Sequence, residues 1–301
     1  MAVTIGYQGE PGAYSEEALH TNYPAATPVA FRTLRHAFHR VADQTVDLAI
    51  VPVENSQAGS VLDTYDLLLE YRVLVVGEIA LQVDHCLLAL PGAARSGLTR
   101  VLSHPQALAQ CEAFIVREGL EAVPIYDTAG AARQVQREGR PEQAAIASRR
   151  AADLYGLDIV AERIQTVQEN ITRFFLITRR GPRRPKAPAV KRKRLGWKTS
   201  VVCAVRNEPG ALHALLGAFT THGVNLSKLE SRPRRDPAWE YVFYLDLDGR
   251  RSERPVAAAL RDARRVTTML QVLGTYPRAL PIAIPPRPRR RRGPRSAHGA
   301  R

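Results

Sequence analysis

The chain has 301 residues, 45% apolar and 24% charged, the makeup of a soluble globular protein with room for two separately folded domains. No run approaches the roughly 18 apolar residues of a membrane span, so no membrane partner is expected. The formal charge of +14 is confined: residues 178–200 hold ten Lys or Arg, residues 278–301 hold eight Arg, and the remainder has 25 basic against 29 acidic residues.

In chain order, VTIGY opens as a strand and carries no charged-then-apolar leader, so a cytoplasmic protein is expected. A Gly/Pro loop and a helix at SEEALH follow. Leu34, Ala37, Phe38 and Val41 then mark one face of a second helix. DLAIVPV reads as a strand buried on both faces, and SVLDTYDLLLEY as a helix. VLVVGEIALQVDHCLLAL is a long extended apolar stretch. SHPQALAQCEAFIVREG predicts one helix, opened by a Ser103–Gln106 capping box and stopped by Gly119. Strand AVPIY, helix TAGAARQVQRE, strand AAIAS, helix RRAADLYG and strand FFLIT continue an α/β alternation.

The basic, Pro-rich stretch at 181–197 cannot pack a core and reads as a linker; residues 279–301 read as a disordered tail. Between them, residues 198–278 predict β-α-β-β-α-β, a ferredoxin-like unit. Such Arg runs bind polyanions without specificity, but the tail lacks the aromatics that stack on bases, so no specific nucleic-acid partner is expected. Cys86, Cys111 and Cys203 are widely spaced and outside any metal-type cluster, which predicts reduced, buried thiols.

No metal constellation, P-loop or dinucleotide fingerprint is present, so neither metal nor cofactor is expected. Three polar clusters instead sit where strands end, the usual ligand position in open α/β sheets. Glu54-Asn55-Ser56 follows DLAIVPV and precedes a helix, where it suits either a bound carboxylate or simple capping. Ser103-His104-Pro105-Gln106, with Gln110 one turn on, is by itself most simply a cap. Asn170-Ile171-Thr172-Arg173-Phe174 leads into FFLIT; an Arg there suits a two-pronged grip on a carboxylate, and a Thr beside it suits donation to a leaving oxygen. Either residue also suits a plain polar rim.

Taken together, GYQGEPGAYSEEAL (6–19), VPVENSQAGSVLDTYDLL (51–68), GEIALQVDHCLLAL (77–90), LSHPQALAQCEAF (102–114), TAGAA (128–132), AAIASRRAADLYGL (144–157) and NITRFFLI (170–177) resemble the prephenate dehydratase family. PGALHALLGAF (209–219), GVNLSKLESRP (223–233) and LGTYP (273–277) resemble the ACT regulatory domain such enzymes carry. The resemblance implies a catalytic domain over residues 1–180, two-lobed like a periplasmic binding protein, with substrate in the cleft. It implies that Thr172 donates a proton to the departing hydroxyl, that Arg173 holds a substrate carboxylate and that Phe174 packs beneath. Glu54, Asn55, Ser56, Ser103, Gln110 and Asn170 are the further substrate positions, and Thr128 offers an anion site at its helix N-terminus. Gly210, Ala211, Leu212, Asn225, Leu226, Glu230 and Ser231 match effector-binding positions, implying phenylalanine as effector and a homodimer or homotetramer. Two departures stand out: Thr166 replaces the Asp usual before the Thr-Arg-Phe motif, and His213 replaces an apolar residue.

The implied reaction turns prephenate into phenylpyruvate. Loss of CO₂ and water together restores an aromatic ring, so no redox partner is needed. General-acid assistance contributes about 10²–10⁴-fold to such a step. Arogenate, with an amino group in place of the keto oxygen, is the alternative substrate, and a non-catalytic sensor on the same fold is a rival of another class.

Overall fold

The computed structural model describes residues 2–181, 185, 196–233, 241–279 and 281–282. The first lobe begins with β1 (Thr4–Gln8), α1 (Tyr14–Asn22), β2 (Thr27–Phe31), α2 (Leu34–Ala42), β3 (Leu48–Asn55), β4 (Gly59–Ser60), α3 (Leu62–Glu70) and β5 (Val73–Gln82). The chain then crosses to a second lobe: β6 (Cys86–Ala89), β7 (Arg100–Ser103), α4 (Pro105–Gln110), α5 (Glu112–Arg117), β8 (Glu121–Pro124), α6 (Thr128–Glu138), β9 (Gln143–Ala147), α7 (Arg149–Tyr155) and β10 (Asp158–Glu162). It returns as β11 (Ile171–Arg179), which inserts between β3 and β5 and runs antiparallel to both. Two crossings thus join two α/β lobes, the expected two-lobed layout.

Each lobe has its own sheet. In the first the order is β5-β11-β3-β1-β2, and in the second β10-β6-β9-β7-β8. The helices follow local signals. The face of α2 that buries Ala37, Phe38 and Val41 is the one its spacing predicts. Ser148 caps α7 by accepting from the Ala151 amide, and Gly139 and Gly156 close α6 and α7 in the left-handed conformation that glycine tolerates. The single helix expected after Ser103 is instead two, α4 and α5, broken at Cys111. The capping box also gives way: His104 is the N-cap, its Nδ1 accepting from the Gln106 amide at 3.2 Å, while the Ser103 hydroxyl donates to the Ile146 carbonyl at 2.6 Å. The strand β2, which contains a proline and lies at the sheet edge, was not expected from the sequence.

The C-terminal domain comprises β12 (Trp197–Ala204), α8 (Ala211–Thr220), β13 (Leu226–Pro233), β14 (Tyr241–Asp248), α9 (Arg254–Val266) and β15 (Met269–Pro277). Its strands run in the order β13-β14-β12-β15, the expected ferredoxin-like arrangement. One sheet face packs on α8 and α9 through Val201, Cys203, Leu215, Phe219 and Leu260. The other face shares a core with the first lobe, where Val202, Ala204 and Tyr244 meet Val51, Val53 and Phe175. At the seam β15 adds to β5 by a single parallel pairing, Gly274 with Val75. A Cβ at Gly274 would overlap the Val75 carbonyl oxygen, so only glycine permits this approach.

Most of the expected linker and tail lies outside the described residues. Within the span expected to be a disordered tail, however, β16 (Pro281–Ile282) pairs with β5. Among the described residues no helix is long and apolar enough to cross a membrane.

Candidate functional site

The site sits at the hinge. The Val83 amide ties the two crossings by donating to the Asn170 carbonyl at 2.7 Å, and the Thr166 amide ties the second crossing to the end of α4 by donating to the Gln110 carbonyl at 2.8 Å. Thr166, where the family usually has Asp, also accepts from the Ala113 amide through its hydroxyl. These ties bring Asn55, Asn170 and Thr172 from the first lobe's side up to Gln110 from the second.

Three side-chain amides close a ring there. Asn55 Nδ2 donates to Asn170 Oδ1 at 2.7 Å, Asn170 Nδ2 to Gln110 Oε1 at 3.0 Å, and Gln110 Nε2 to Asn55 Oδ1 at 3.3 Å. The direction of the ring is fixed from outside. Asn55 Oδ1 also accepts the Gln57 and Ala58 amides, at 3.0 and 2.9 Å, an Asx turn that leaves Nδ2 facing inward. That nitrogen's second hydrogen goes to Thr172 Oγ1 at 2.9 Å. Thr172 is therefore an acceptor within the network, and among the described residues its own proton goes to no protein group.

Behind Gln110 the network continues into the interior. His85 Nε2 lies 2.8 Å from Gln110 Oε1, which only accepts, so this nitrogen carries the hydrogen and Nδ1 accepts from the Tyr14 hydroxyl at 2.7 Å. Burial holds the His85 pKa below its ordinary value, despite the Gln110 contact, and pushes the Tyr14 phenol well up. The network is thus neutral throughout. Neither residue was singled out from sequence, although both fall within the motifs GYQGEPGAYSEEAL and GEIALQVDHCLLAL.

Arg173 does not join it. Successive side chains on a strand point to opposite faces, so with Thr172 on the cleft side Arg173 faces the C-terminal domain. A bulge makes β3 match. Along the ladder Phe174 pairs with Pro52 but Arg173 pairs with Glu54, so the extra residue, Val53, turns Glu54 toward Arg173 and leaves Asn55 beside Thr172. Arg173 Nε donates to Glu54 Oε2 at 3.1 Å, and Nη1 donates to Glu78 Oε1 at 2.9 Å and to Asp246 Oδ2 at 2.5 Å. Burial works against the guanidinium charge, but the Asp246 and Glu78 carboxylates outweigh it and hold the pKa above its ordinary value. The expected grip of Arg173 on a substrate carboxylate is therefore replaced by ion pairs within the protein, and Glu54 is drawn away from the cleft with it. Charged residues inside otherwise apolar strands, Glu78 in VLVVGEIAL and Asp246 in YVFYLDLD, were the signal that a buried cation lay opposite.

The other expected positions divide. Phe174 is 2% exposed and packs among Ile5, Tyr7, Ile50 and Leu176. Ser56 stitches its loop to β11, accepting the Ile171 amide at 2.9 Å. Ser103 is fully buried and engaged with Ile146. Thr128 opens α6, but the helix N-terminus is already met by a carboxylate: Asp127 Oδ1 accepts the Gly130 amide at 2.8 Å. Burial of Asp127 raises its pKa in spite of these amides.

In the C-terminal domain, Gly210, Ala211 and Leu212 form the start of α8, with Gly210 in the left-handed region at φ 84°. Asn225 and Leu226 lie beyond the other end of that helix, which is about 15 Å long at 1.5 Å per residue, and Asn225 donates to Asp248 at 2.8 Å. Glu230 accepts from the Ser60 hydroxyl of the first lobe at 2.5 Å, while Ser231 is exposed. One chain thus does not gather the seven expected effector residues into one place. Cys86, Cys111 and Cys203 are buried, and burial pushes each thiol up to about 12.

Comparison with known proteins agrees with this division of the chain. A family model described as Prephenate dehydratase matches residues 5–182, and one described as ACT domain matches residues 199–265. The chain is 42% identical over 299 residues to Arogenate dehydratase 1 of Petunia hybrida, covering 94% of this chain and 69% of the relative. A solved structure of prephenate dehydratase in complex with L-Phe from Arthrobacter aurescens superposes with a TM-score of 0.81 at 32% identity, covering 92% of this chain and 90% of that one. Another, described as GqqA, a novel type of quorum quenching acylases, gives a TM-score of 0.81 at 37% identity, covering 91% and 97%. From its matched domains and its α/β architecture, the chain belongs to the prephenate dehydratase family and carries a C-terminal ACT domain.

Proposed function

We propose that the chain catalyses the decarboxylating dehydration of prephenate to phenylpyruvate, with Thr172 as the proton donor to the departing hydroxyl. The observation that carries this is the direction of the amide ring. Asn55 donates to Thr172 Oγ1, so the hydroxyl's proton points away from the network while its oxygen is held by a positive N–H. Such a bond strengthens a hydroxyl as a donor and stabilises the negative charge that grows on it as the proton moves. As the Thr172 proton passes to the leaving oxygen, the ring C–O bond breaks and water departs. The electron pair of the ring–carboxylate bond moves into the ring as CO₂ leaves, which aromatises it, and a proton from solvent restores the Thr172 hydroxyl. With Arg173 committed to Glu54, Glu78 and Asp246, positioning falls to neutral donors of the hinge, with Gln110 and Asn170 holding Asn55 in place.

Arogenate shares the reacting ring, and the name of the Petunia hybrida relative supports it as an alternative substrate. An acylase reading is less well supported, because acyl transfer asks for a nucleophile next to a base. The Cys86 and Cys111 thiols are raised to about 12 by burial, the Ser103 hydroxyl is engaged with Ile146, and Thr172 faces an amide donor rather than a base.

Phenylalanine as effector belongs to the same proposal, supported by the ACT match and by the Arthrobacter aurescens protein, whose structure was solved in complex with L-Phe. The separation of Gly210–Leu212 from Asn225–Leu226 in one chain fits a homo-oligomer in which a second copy supplies the missing half. Cytoplasmic residence completes the proposal.

The test is the rate of phenylpyruvate formation from prephenate, by absorbance, beside phenylalanine formation from arogenate. Higher kcat/KM on prephenate is expected, and no turnover of either substrate would overturn the assignment. Calorimetry of the full chain with phenylalanine, and its mass in solution by light scattering, test the effector and the oligomer.

A further inference from the structure

We propose that Asp246 of the ACT domain is a positioning residue for catalysis: by holding Arg173 it fixes where Thr172 stands relative to Asn55. The inference rests on the reading of Thr172 as proton donor.

The two catalytic-side residues and the two charged ones are neighbours in the chain and partners in the ladder. Thr172 pairs with Asn55, and Arg173 with Glu54. The same two rungs therefore present a hydroxyl and an amide to the cleft and an ion pair to the opposite face. Whatever displaces the ion pair moves the backbone that carries the other two.

The ACT domain grips that opposite face. Asp246 is 4% exposed, and its Oδ2 receives Arg173 Nη1 at 2.5 Å. Its Oδ1 accepts from the Ser200 hydroxyl at 2.5 Å, and that hydroxyl in turn meets the Tyr276 phenol at 2.5 Å. The two carboxylates that the first lobe places beside Arg173 each take a lysine from the ACT domain as second partner: Glu78 takes Lys198 at 2.9 Å and Glu54 takes Lys228 at 3.0 Å. Three cations and three carboxylates thus interlock across the domain boundary, with Glu230 at the rim, 3.6 Å from Lys228. A carboxylate buried in this way holds its partner to a narrow range of positions, because moving either charge leaves the other unmatched in a medium that solvates it poorly.

The coupling is directional. Displacement of β14 moves Asp246, Asp246 draws Arg173, and β11 shifts Thr172 with respect to the hydroxyl it serves. A mispositioned donor costs rate with little effect on ground-state binding, which separates this role from that of a substrate-gripping arginine.

The test uses the full chain. Asp246→Asn keeps the shape and removes the charge. Asp66→Asn serves as control, since it weakens another ACT contact, Arg232 with Asp66 at 3.0 Å, away from Arg173. The expected result is a fall in kcat of at least about tenfold for Asp246→Asn with KM changed by less than about threefold, and kcat within about twofold of wild type for Asp66→Asn. Arg173→Lys should show the same split. If Asp246→Asn does not fold, Ser200→Ala, which removes only the hydroxyl that orients Asp246, should lower kcat in the same sense by a smaller factor. Wild-type kcat in a folded Asp246→Asn chain, an equal fall in Asp66→Asn, or a rise in KM alone would each overturn the inference. Thr172→Ala is measured alongside: wild-type turnover there would remove the reading of Thr172 and this inference with it. Loss of turnover in Thr172→Ala with none in Asp246→Asn removes this inference alone.

Discussion

Asn55 and Thr172 face each other across the β3–β11 ladder, and the amide of one donates to the hydroxyl of the other at 2.9 Å. They are 117 residues apart in the chain, and the bulge at Val53 puts them on the same face.

Thr172→Ala removes the donor and leaves one Asn55 N–H without its partner. Turnover should fall by at least about a hundredfold, the lower end of general-acid effects, while circular dichroism stays close to wild type and stability falls by no more than about 1–3 kcal/mol, the cost of one unpaired group. Thr172→Ser should retain more activity than Ala. Phenylpyruvate absorbance under saturating substrate checks both.

Asn55→Asp replaces the ring's donor by an acceptor opposite Asn170 Oδ1 and Thr172 Oγ1. Asn55 is 7% exposed, so Asn170 Oδ1 meets an unmatched buried charge, while the Thr172 hydroxyl turns its proton to the new carboxylate and away from substrate. Each unsatisfied buried group costs about 1–3 kcal/mol. A lower denaturant midpoint is expected, together with a loss of turnover larger than the stability change explains at assay temperature.

Gly274→Ala should part the two domains. The added methyl carbon would overlap the Val75 carbonyl oxygen, and overpacking at a rigid backbone contact costs about 1–3 kcal/mol or more. Limited proteolysis should then cut between the catalytic and ACT halves faster than in wild type. Unchanged digestion would show that the seam gives way at no cost.

Glu17 makes stability depend on pH. It sits on α1, 7% exposed, and burial raises its pKa from 4.5 to about 7, with Arg149 opposing. The folded state therefore binds this proton more tightly than the unfolded state. The contribution is fully present below pH 4.5 and is lost as pH rises to about 7. Glu17→Gln should remove that decline, so the variant gains on wild type by an amount on the order of a few kcal/mol between about pH 5 and 8. Urea unfolding at the two pH values reads this directly; a constant difference between variant and wild type would exclude it.

The elements that carry strong local signals were legible. The amphipathic face of α2, the left-handed Gly119 that follows α5 and the β-α-β-β-α-β order of the ACT domain all follow from spacing and turn chemistry. Strand ends marked Asn55, Asn170 and Thr172 only as candidates; that they share a site with Gln110, at the end of α4, was implied by the family resemblance. What was not legible depended on partners far away in the chain. Arg173 stands next to Thr172 in sequence, which suggested a shared target, yet strand alternation sends it to the opposite face. Its real partners, Glu78 and Asp246, lie 95 and 73 residues away. Ser103 resembled a helix cap because Ser-x-x-Gln usually is one, but a hydroxyl on the last residue of a buried strand finds a neighbouring carbonyl first. Thr128 lost its anion role to Asp127, one residue earlier, whose carboxylate reaches the helix amides from within the chain.

The seam at Gly274 has a mechanical consequence. Gly274, Ser200 and Asp246 lie in one row across β15, β12 and β14, so Asp246 stands two strands, roughly 10 Å, from Gly274, which makes the single rung with Val75. With one backbone rung between β15 and β5, any give in the packed core and ion pairs behind it swivels the sheet there more readily than it slides it. By that lever arm a rotation of about 10° carries the Asp246 carboxylate nearly 2 Å, enough to pull it out of hydrogen-bonding reach of Arg173. A small tilt of the regulatory domain is thus enlarged on its way to the catalytic strand.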